Sequence, residues 1–368
     1  MTSTPLSTLT TMRVGGPATR IVAPTTPAEL VDVALDTWNS GDDWFILGGG
    51  SNLVIGDEEF EGTVIRVVTR GIERRADAAS PGRVTLNVQA GEPWDELVAF
   101  TVEQGWTGLE ALSGIPGSTG ASPIQNIGAY GQEVAQSLVA VEFLDYLTGE
   151  ISRETAASLE LDYRSSAIKH GRQGLVLSVE FELADTQDGL GAPIAYAQLA
   201  SALGVELGAR VPVADVRAAV LRLRASKGMV LDPSDPDSVS CGSFFTNPIV
   251  GENFARTLPE KTPRWPMEPE LPDVFVPLGE EPALPLQRTD HRVKLSAAWL
   301  IENAGIGRGF RLPGSKAAIS SKHTLAVTNT GGATADEVAQ LARFVQTRVF
   351  SEFGVRLQAE PVLVGVQL

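Results

Sequence analysis

Two glycine- and serine-rich segments contain the residue types that could bind a phosphate group. The first is Gly48-Gly49-Gly50-Ser51-Asn52, which follows a short apolar run, and the second is residues 113–131, SGIPGSTGASPIQNIGAYG. Small residues allow several backbone N–H groups to converge on one anion without obstruction by side chains. One such segment alone is often a tight turn or a structural loop, but two of them on either side of a helix indicate a dinucleotide site.

The better-known phosphate-binding fingerprints do not fit these segments. The dinucleotide fingerprint G-x-G-x-x-G would need a glycine at position 53, where the chain has Leu53. Gly309 and Gly314 have the Walker A spacing, but Ser315-Lys316 follows them where Lys-Ser/Thr is required. We therefore expect a dinucleotide site that is neither a Rossmann site nor a P-loop.

The composition limits the classes of partner. The chain has 368 residues, with 29 Lys+Arg against 45 Asp+Glu, and its formal net charge of -16 repels a phosphate backbone, so we expect no nucleic-acid partner. It has no run of 18 apolar residues and no signal-peptide pattern, so we expect no membrane partner and a cytoplasmic location. One cysteine and three scattered histidines give no metal-ligand spacing, so we expect no metal site.

Capping signals and apolar periodicity predict the elements that must position these segments. Thr26 with Glu29, and Thr334 with Glu337, form two capping boxes, and each precedes apolar residues at helical spacing. Residues 259–285 contain eight prolines and no apolar period, which predicts an irregular segment. Further helices are predicted over 93–104, 213–227 and 296–303, and strands over 44–47, 64–68, 84–88, 139–147, 175–183 and 358–366. The pattern favours an α+β protein of two or three domains.

Five motifs together resemble one family of enzymes. They are LGGGSNLV, SGIPGSTGASPIQNIGAYG, DYRSS, GSFFTNP and AEPVLVG, and their order along the chain is that of the UDP-N-acetylenolpyruvoylglucosamine reductases. The resemblance runs from about Thr10 to the C-terminus. Tyr196 resembles the substrate-binding tyrosine of the type I branch of this family.

The resemblance implies a fold and a cofactor. The fold is α+β, with a two-subdomain FAD-binding module of the vanillyl-alcohol-oxidase (PCMH) type followed by a C-terminal α+β substrate-binding domain. Residues 1–72, with 359–368 as a candidate addition, would form the first subdomain, 73–227 the second, and 228–358 the substrate-binding domain. No histidine precedes His170, so we expect non-covalent FAD. The implied FAD-binding residues are Gly48, Gly49, Gly50, Ser51, Asn52, Gly114, Gly117, Ser118, Gly120, Ala121, Ser122, Asn126, Gly128 and Tyr130.

The resemblance also implies a reaction, which belongs to peptidoglycan precursor synthesis. UDP-N-acetyl-3-O-(1-carboxyvinyl)-α-D-glucosamine would be reduced to UDP-N-acetylmuramate, with NADPH as the co-substrate that reduces FAD. Hydride would pass from flavin N5 to C3, Ser243 would protonate C2, and Arg164 and Glu360 would stabilise the charge that develops. The implied substrate-binding residues are Tyr196, Lys227, Asn247 and Lys294.

Without the motifs, the chemistry of these side chains leaves other roles open. A guanidinium such as that of Arg164 can hold a carboxylate through two parallel hydrogen bonds, but it could equally form a surface ion pair. Ser243 is a poor acid that suits only a strongly basic acceptor such as a carbanion. Glu360 stands in an apolar run, where burial of a charge is costly, so it is either exposed at an edge or functional. The lone Cys241 is expected to be a small buried residue.

Two other functions remain open from the sequence. An FAD oxidase of the same superfamily, acting on an alcohol or a sugar, would be reoxidised rapidly by oxygen and would ignore the nucleotide. A non-catalytic nucleotide-binding module would hold no flavin and would have no use for Arg164, Ser243 and Glu360 together. We expect a monomer whose ligand is a small UDP-sugar.

Overall fold

The computed structural model describes residues 4–75, 81–267 and 291–368. Its α-helices are α1 Pro27–Ser40, α2 Trp94–Glu103, α3 Ala197–Leu203, α4 Val213–Ala225, α5 Glu252–Thr257, α6 Ala297–Asn303 and α7 Ala335–Phe353. Its strands are β1 Ala18–Val22, β2 Asp43–Leu47, β3 Leu53–Ile55, β4 Phe60–Arg66, β5 Ile72–Arg75, β6 Arg83–Gln89, β7 Trp106–Thr107, β8 Gly128–Ala129, β9 Gln132–Glu133, β10 Leu138–Asp145, β11 Ile151–Thr155, β12 Gly174–Asp185, β13 Ser240–Ser243, β14 Ile249–Gly251, β15 Arg264–Pro266, β16 Arg292–Leu295, β17 Ala317–Ile319, β18 Ala326–Asn329 and β19 Val362–Val364.

A small parallel sheet of order β1-β4-β2 begins the fold. Helix α1 packs on it and starts at the predicted capping box: the Thr26 side chain accepts from the N–H of Glu29, whose carboxylate accepts from the N–H of Thr26. The helix ends at Gly41, whose φ of 78° is easy only for glycine. Because β2 leads directly into the first glycine-rich segment, this sheet fixes where that segment lies.

A larger antiparallel sheet has the order β11-β10-β12-β6-β5, with β7 paired to β12. Its apolar face packs against α2 through fully buried aromatic side chains, among them Trp94 and Phe181, whose ring centroids are 6.0 Å apart. The Trp94 indole N–H donates to the carbonyl oxygen of Leu112 at 3.0 Å. The sheet and α2 therefore fix the position of Leu112, the residue that precedes the second glycine-rich segment.

The C-terminal part contains two antiparallel sheets, of order β13-β18-β17 and β14-β16-β15, covered by α6 and α7. Their common core includes the fully buried Phe244, Leu300, Leu341 and Val345. Helix α7 begins at the second predicted capping box, Thr334 with Glu337. This core fixes the position of β13, which carries Ser243.

Most predicted helices and strands are confirmed within a few residues, but the final strand is shorter than predicted. Only Val362–Val364 forms a strand of the predicted 358–366, and it pairs in parallel with β3. Pro361 has no N–H to donate to a ladder, so it interrupts the extended run after Glu360. Glu360 is held instead by its own N–H, which donates to the carbonyl oxygen of Phe244 at 2.9 Å.

The predicted irregular segment of residues 259–285 falls largely on residues 268–290, which lie outside the described part of the chain. Its first residues are more regular than predicted, since Arg264–Pro266 forms β15 by pairing with β16. Within the described residues, no helix is long and apolar enough to span a bilayer.

Candidate active site

A cavity of about 510 Å³ lies between the two glycine-rich segments and the C-terminal sheets. All five residues of the first segment, Gly48 to Asn52, line it. From the rest of the predicted cofactor set, its wall contains Gly117, Ser118, Gly120, Ala121, Ser122 and Gly128. The predicted catalytic residues Arg164, Ser243 and Glu360 line the same cavity. The fold therefore brings the predicted phosphate-binding segments and the predicted catalytic residues to one place.

The glycines of the first segment allow it to pack directly against the second. A Cβ at Gly48 would lie 2.5 Å from Oγ of Ser118, and a Cβ at Gly49 would lie 2.6 Å from Cα of Gly117. The Ser51 hydroxyl joins the segments by donating to the carbonyl oxygen of Pro116 at 2.9 Å. Larger side chains would push the two segments apart, so this contact by itself requires small residues at Gly48 and Gly49.

The DYRSS motif forms a tight turn that presents Arg164. Asp162 and Ser165 exchange backbone hydrogen bonds, and Arg164 between them has a φ of 53°. The Ser166 hydroxyl donates to the carbonyl oxygen of Ile124 at 2.5 Å, which anchors the turn to the second glycine-rich segment. The left-handed backbone at Arg164 is an uncommon conformation for a residue other than glycine, and such conformations are frequent at functional sites.

The guanidinium of Arg164 is held at all three nitrogens. Its Nε lies 3.3 Å from Oε1 of Glu360, Nη1 donates to the carbonyl oxygen of Asn126 at 3.2 Å, and Nη2 donates to that of Gly128 at 2.6 Å. An arginine carries five N–H donors, so one N–H on each terminal nitrogen remains for a ligand. The group is therefore fixed in orientation and still able to bind a carboxylate.

Ser243 and Glu360 are neighbours through their backbones. Ser243 ends β13, where it pairs with Ala326 of β18, and the next residue, Phe244, accepts the hydrogen bond from the Glu360 N–H. The tail also reaches the first glycine-rich segment, because the Asn52 side-chain amide donates to the carbonyl oxygen of Glu360 at 3.3 Å. A strand of the C-terminal part and the C-terminal tail thus place both residues at the same wall of the cavity.

Burial dominates the electrostatics of this wall. It raises the pKa of Glu360 above its ordinary value, and the positive charges of Arg164 and Lys169 oppose that shift. Burial also lowers the pKa of Lys169. Cys241 is buried as predicted, and its burial raises the pKa of the thiol to about 12, so the thiol stays protonated.

Lys169 lines the cavity beside these residues, although the sequence analysis did not select it. Its backbone N–H donates to the hydroxyl of Ser166, which continues the turn that carries Arg164. The signal that could have identified it is its position soon after DYRSS, next to the apolar Ile168. Burial of a lysine charge is costly unless it is paired, so a lysine directly after an apolar residue is a candidate for a functional site.

Tyr130 lies with predicted substrate residues. Its ring packs edge-to-face against Tyr196 with centroids 5.8 Å apart, and Nζ of Lys227 lies 5.5 Å from its centroid. Lys227 also donates to the side-chain oxygen of Gln198 at 3.0 Å. These three residues do not line the cavity themselves, but the charge of Arg224, which does line it, acts on both Tyr130 and Lys227.

The other two predicted substrate residues meet at Tyr163. Nζ of Lys294 lies 4.7 Å from the centroid of the Tyr163 ring. Asn247 interacts with the Tyr163 phenol, and its own side-chain oxygen accepts from the N–H of Ala297 at 2.9 Å. Tyr163 immediately precedes Arg164, so its side chain connects Lys294 and Asn247 to the DYRSS turn.

Asn126 and Gly114, which belong to the predicted cofactor set, do not line the cavity. They make hydrogen bonds within the protein. The Asn126 side chain donates to Glu133 and to the carbonyl oxygen of Asp162, and it accepts from the N–H of Ala135. The Gly114 N–H donates to Oδ1 of Asp95 at 2.5 Å. These contacts shape the second glycine-rich segment, and the carbonyl oxygen of Asn126 also holds Nη1 of Arg164. Their assignment to the cofactor stays a prediction.

Two family models match successive parts of this chain. Residues 18–154 match the FAD binding domain, and residues 233–364 match the C-terminal domain of UDP-N-acetylenolpyruvoylglucosamine reductase. The UDP-N-acetylenolpyruvoylglucosamine reductase of Leifsonia xyli subsp. xyli is 61% identical over 100% of both chains. The chain belongs to the UDP-N-acetylenolpyruvoylglucosamine reductase family.

Further relatives agree with this assignment. The UDP-N-acetylenolpyruvoylglucosamine reductase of Salinispora arenicola is 48% identical over 99% of this chain and 95% of its own. The crystal structure of UDP-N-acetylenolpyruvylglucosamine reductase from Thermus caldophilus is 24% identical and superposes with a TM-score of 0.61 over 98% of this chain and 97% of its own, so it shows the same fold. The matches confirm the predicted family, the predicted fold class, FAD as cofactor and an oxidoreductase activity.

The residues of the cavity fit FAD. The close contact of Gly48 with Ser118 and of Gly49 with Gly117 leaves backbone and hydroxyl groups, with no long side chain, along one wall. Apolar side chains, among them Trp94, Phe143 and Ile127, line other parts of the cavity, as a flavin ring would require. This reductase family member therefore has a polar region and an apolar region in one cavity, which suits a flavin dinucleotide.

Proposed function

We propose that this chain is an FAD-dependent reductase that converts UDP-N-acetyl-3-O-(1-carboxyvinyl)-α-D-glucosamine to UDP-N-acetylmuramate with NADPH. The observation that carries the proposal is the Arg164–Glu360 ion pair, at 3.3 Å, in a cavity shared with Ser243 and both glycine-rich segments. The match of residues 18–154 to an FAD binding domain supports the cofactor, and the named relatives support the substrate.

The glycine-rich segments would hold FAD without a covalent bond. Residues 48–52, Gly117 and Ser118 would offer backbone N–H groups to the cofactor, and Ser118 would also offer its hydroxyl. The N–H groups of residues 119–122 donate instead to carbonyl oxygens of the protein, which fixes the shape of the second segment. Bound there, FAD would supply the two-electron chemistry of a hydride transfer from NADPH to C3 of the enolpyruvyl group. The other functions of the site belong to this chain's own side chains.

Arg164 would bind the carboxylate of the enolpyruvyl group. Its two remaining N–H donors lie on Nη1 and Nη2, the nitrogens that Asn126 and Gly128 already hold, so the planar group is fixed before the substrate arrives. Negative charge grows on this carboxylate and at C2 after hydride addition. A fixed, partly buried cation stabilises such charge more than a mobile one, because it needs no reorganisation.

Ser243 would donate the proton to C2. A serine hydroxyl is a weak acid, but the carbanion at C2 is basic enough to take its proton, and the serine recovers a proton from solvent. The Glu360 N–H donates to the carbonyl oxygen of Phe244, the residue after Ser243, and the Glu360 carboxylate is paired with Arg164. Its role is to orient Arg164 and to assist stabilisation and protonation of the intermediate.

Four further side chains would bind the substrate. Tyr196 and Lys227 on one side, with Asn247 and Lys294 on the other, would bind the UDP-sugar, and Lys227 would contact a phosphate of the nucleotide. Residues 1–72 with 359–368, 73–227 and 228–358 would be the three domains, which the pairing of β19 with β3 supports. A cytoplasmic monomer that binds no nucleic acid agrees with the net charge of -16.

An anaerobic absorption spectrum of the purified protein tests this function. NADPH should bleach the bound flavin, and the enolpyruvyl nucleotide should restore its colour without oxygen. Acid precipitation should release all of the flavin into the supernatant, because the attachment is non-covalent. If only oxygen restores the colour, the protein is an oxidase, and if it stays colourless after incubation with FAD, the proposal is wrong.

A further inference from the structure

Thr11 connects the first glycine-rich segment to the strand that carries Ser243. It lies just after the short 3₁₀ helix Leu6–Leu9, and its backbone N–H donates to the carbonyl oxygen of Gly50 at 3.0 Å. Its hydroxyl donates to the carbonyl oxygen of Ser240, the first residue of β13, at 2.6 Å. One residue therefore hydrogen-bonds both to a segment that would hold FAD and to β13.

The contact with the first glycine-rich segment leaves little room for movement. A Cβ at Gly50 would overlap the carbonyl oxygen of Leu9 and would lie 3.0 Å from Cα of Thr10. Both atoms belong to the backbone, so they cannot turn aside as the end of a flexible side chain can. The chain that leads into Thr11 therefore lies directly against this segment.

The contact with the C-terminal part does not depend on Thr11 alone. The Met12 side chain is fully buried in the same core as Phe244. The side-chain amide of Asn329, at the end of β18, donates to the carbonyl oxygens of Met12 at 3.1 Å and Arg13 at 3.3 Å. Because β18 pairs with β13, residues 11–13 are fixed to both strands.

A second link between the same two parts runs through the C-terminal tail. The Asn52 side-chain amide donates to the carbonyl oxygen of Glu360, and the Glu360 N–H donates to that of Phe244. This link reaches the residue that follows β13, whereas Thr11 holds the residue that begins it. Hydrogen bonds at both ends of a strand restrict its tilt as well as its translation.

The proposed reaction depends on how these two parts lie relative to each other. A hydride would reach C3 from the flavin and a proton would reach C2 from Ser243, so the two donors must meet adjacent carbon atoms. Residues 48–52 would hold the flavin cofactor, and β13 holds Ser243. A displacement of about 1 Å between reacting groups can reduce a rate about 10²-fold.

We propose that Thr11 is a positioning residue that keeps Ser243 aligned with the flavin while the nucleotide reoxidises it. Thr11 is not among the described residues that line the cavity, so it acts through β13 and not on the substrate. The inference rests on the proposed function. If the nucleotide does not reoxidise the parent enzyme, the proposed function fails and this inference falls with it. If it does, the variants test the inference alone.

Thr11→Val in the full-length holoenzyme tests the proposal. It removes the hydroxyl but keeps the branched shape and the N–H that donates to Gly50. The flavin content, the rate of reduction by NADPH and the dissociation constant of the enolpyruvyl nucleotide, from titration of the oxidised flavin spectrum, should stay close to those of the parent. The rate of reoxidation at saturating nucleotide should fall about 10- to 100-fold. Thr11→Ser, which keeps the hydroxyl, should restore most of it.

Thr8→Val is the matched control. The exposed Thr8 hydroxyl donates to the carbonyl oxygen of Pro5 at 2.8 Å within the same part of the chain, so this variant also removes one hydroxyl and one hydrogen bond. Backbone hydrogens of the peptide that contains β13 should exchange faster in Thr11→Val than in Thr8→Val, because one end of the strand is released. Equal exchange in the two variants would count against the link.

A double variant separates alignment from a general loss of structure. Thr11→Val should slow reoxidation much less in a Ser243→Ala background than in the parent, because the proton donor that it aligns is already absent. Equal slowing in both backgrounds, equal slowing of both half-reactions, or reoxidation of Thr11→Val as fast as that of Thr8→Val would overturn the proposal.

Thr11→Ala covers the case in which Thr11→Val does not fold. It removes the same hydroxyl but places no methyl group against the carbonyl oxygen of Ser240. It should show the same selective slowing of reoxidation, with normal reduction by NADPH. Reoxidation of Thr11→Ala at the rate of the parent would show that the hydroxyl does not position Ser243.

Discussion

Nε of Arg164 lies 3.3 Å from Oε1 of Glu360, and this ion pair joins a turn of the N-terminal half to the C-terminal tail. Both side chains are largely buried. The carbonyl oxygens of Asn126 and Gly128 hold the other two nitrogens of the guanidinium, so its plane is fixed by three separate segments. The orientation of the Arg164 guanidinium therefore depends on the second glycine-rich segment, the DYRSS turn and the tail together.

Ser243→Ala should separate the two half-reactions. Reduction of the flavin by NADPH should continue, whereas reoxidation by the enolpyruvyl nucleotide should slow by about 10²–10⁴-fold, the usual contribution of general acid catalysis. Anaerobic stopped-flow absorbance measures both rates, and Ser40→Ala, at the exposed end of α1, is the control. Equal losses in both half-reactions would contradict the role given to Ser243.

Arg164→Lys should impair the same step by a different route. An ammonium group cannot contact Glu360, two carbonyl oxygens and a substrate carboxylate at once, so reoxidation by the nucleotide should slow about 10- to 100-fold. The rate of reduction by NADPH should change less. Arg222→Lys, on the exposed face of α4, is the matched control. Full activity of Arg164→Lys would mean that the bidentate contact is not needed.

Glu360→Gln should change how stability depends on pH. Burial raises the pKa of Glu360 above its ordinary value of 4.5, so the folded protein holds this proton more tightly than the unfolded chain. The resulting stabilisation is present below pH 4.5 and is lost as the pH rises through the folded pKa. Relative to the parent, Glu360→Gln should therefore gain stability as the pH rises above 4.5.

Urea unfolding at several pH values measures this effect, with Glu352→Gln on the exposed face of α7 as the control. Glu360→Gln should also lose most of its rate of reoxidation by the nucleotide, because the neutral amide cannot pair with Arg164. A stability difference that moves in the opposite direction with pH would show that the ion pair outweighs the cost of burial.

Lys169→Met should move the pH dependence of the second half-reaction. The charge of Lys169 opposes the rise in the pKa of Glu360, so its removal should raise that pKa further. The pH at which reoxidation by the nucleotide changes should move upward by a measurable fraction of a unit, and Lys169→Arg should restore it. Lys316→Met, which removes an exposed charge, should leave the profile in place. An unchanged profile in Lys169→Met would remove this residue from the site.

Gly49→Ala should weaken FAD binding. The added Cβ would lie 2.6 Å from Cα of Gly117, so the two glycine-rich segments would have to separate. Overpacking of this kind costs about 1–3 kcal/mol, which corresponds to a loss of about 5- to 150-fold in affinity. The flavin content of the purified variant measures the effect. Gly307→Ala is the control, since a Cβ at Gly307 would meet no atom within 4 Å.

Signals between neighbouring residues were sufficient to predict much of the fold. Thr26 with Glu29 and Thr334 with Glu337 each satisfy N–H groups at the start of a helix, so both capping boxes are confirmed. Gly41 and Gly354 end those helices in the left-handed conformation that favours glycine. The family motifs likewise identified the family, because each contains its characteristic residues in consecutive positions.

The tertiary structure alone decided which of these residues meet. The sequence contained Arg164 and Glu360 but not their ion pair, and the cavity that Lys169 and Arg224 line together with them forms only in the folded chain. The contact between the rings of Tyr130 and Tyr196 likewise appears only in the fold, and the cofactor role of Tyr130 stays a prediction. Local periodicity and capping depend on backbone hydrogen bonds between residues close in the chain. Burial, pKa shifts and contacts between distant residues depend on how the sheets pack and on where the tail returns.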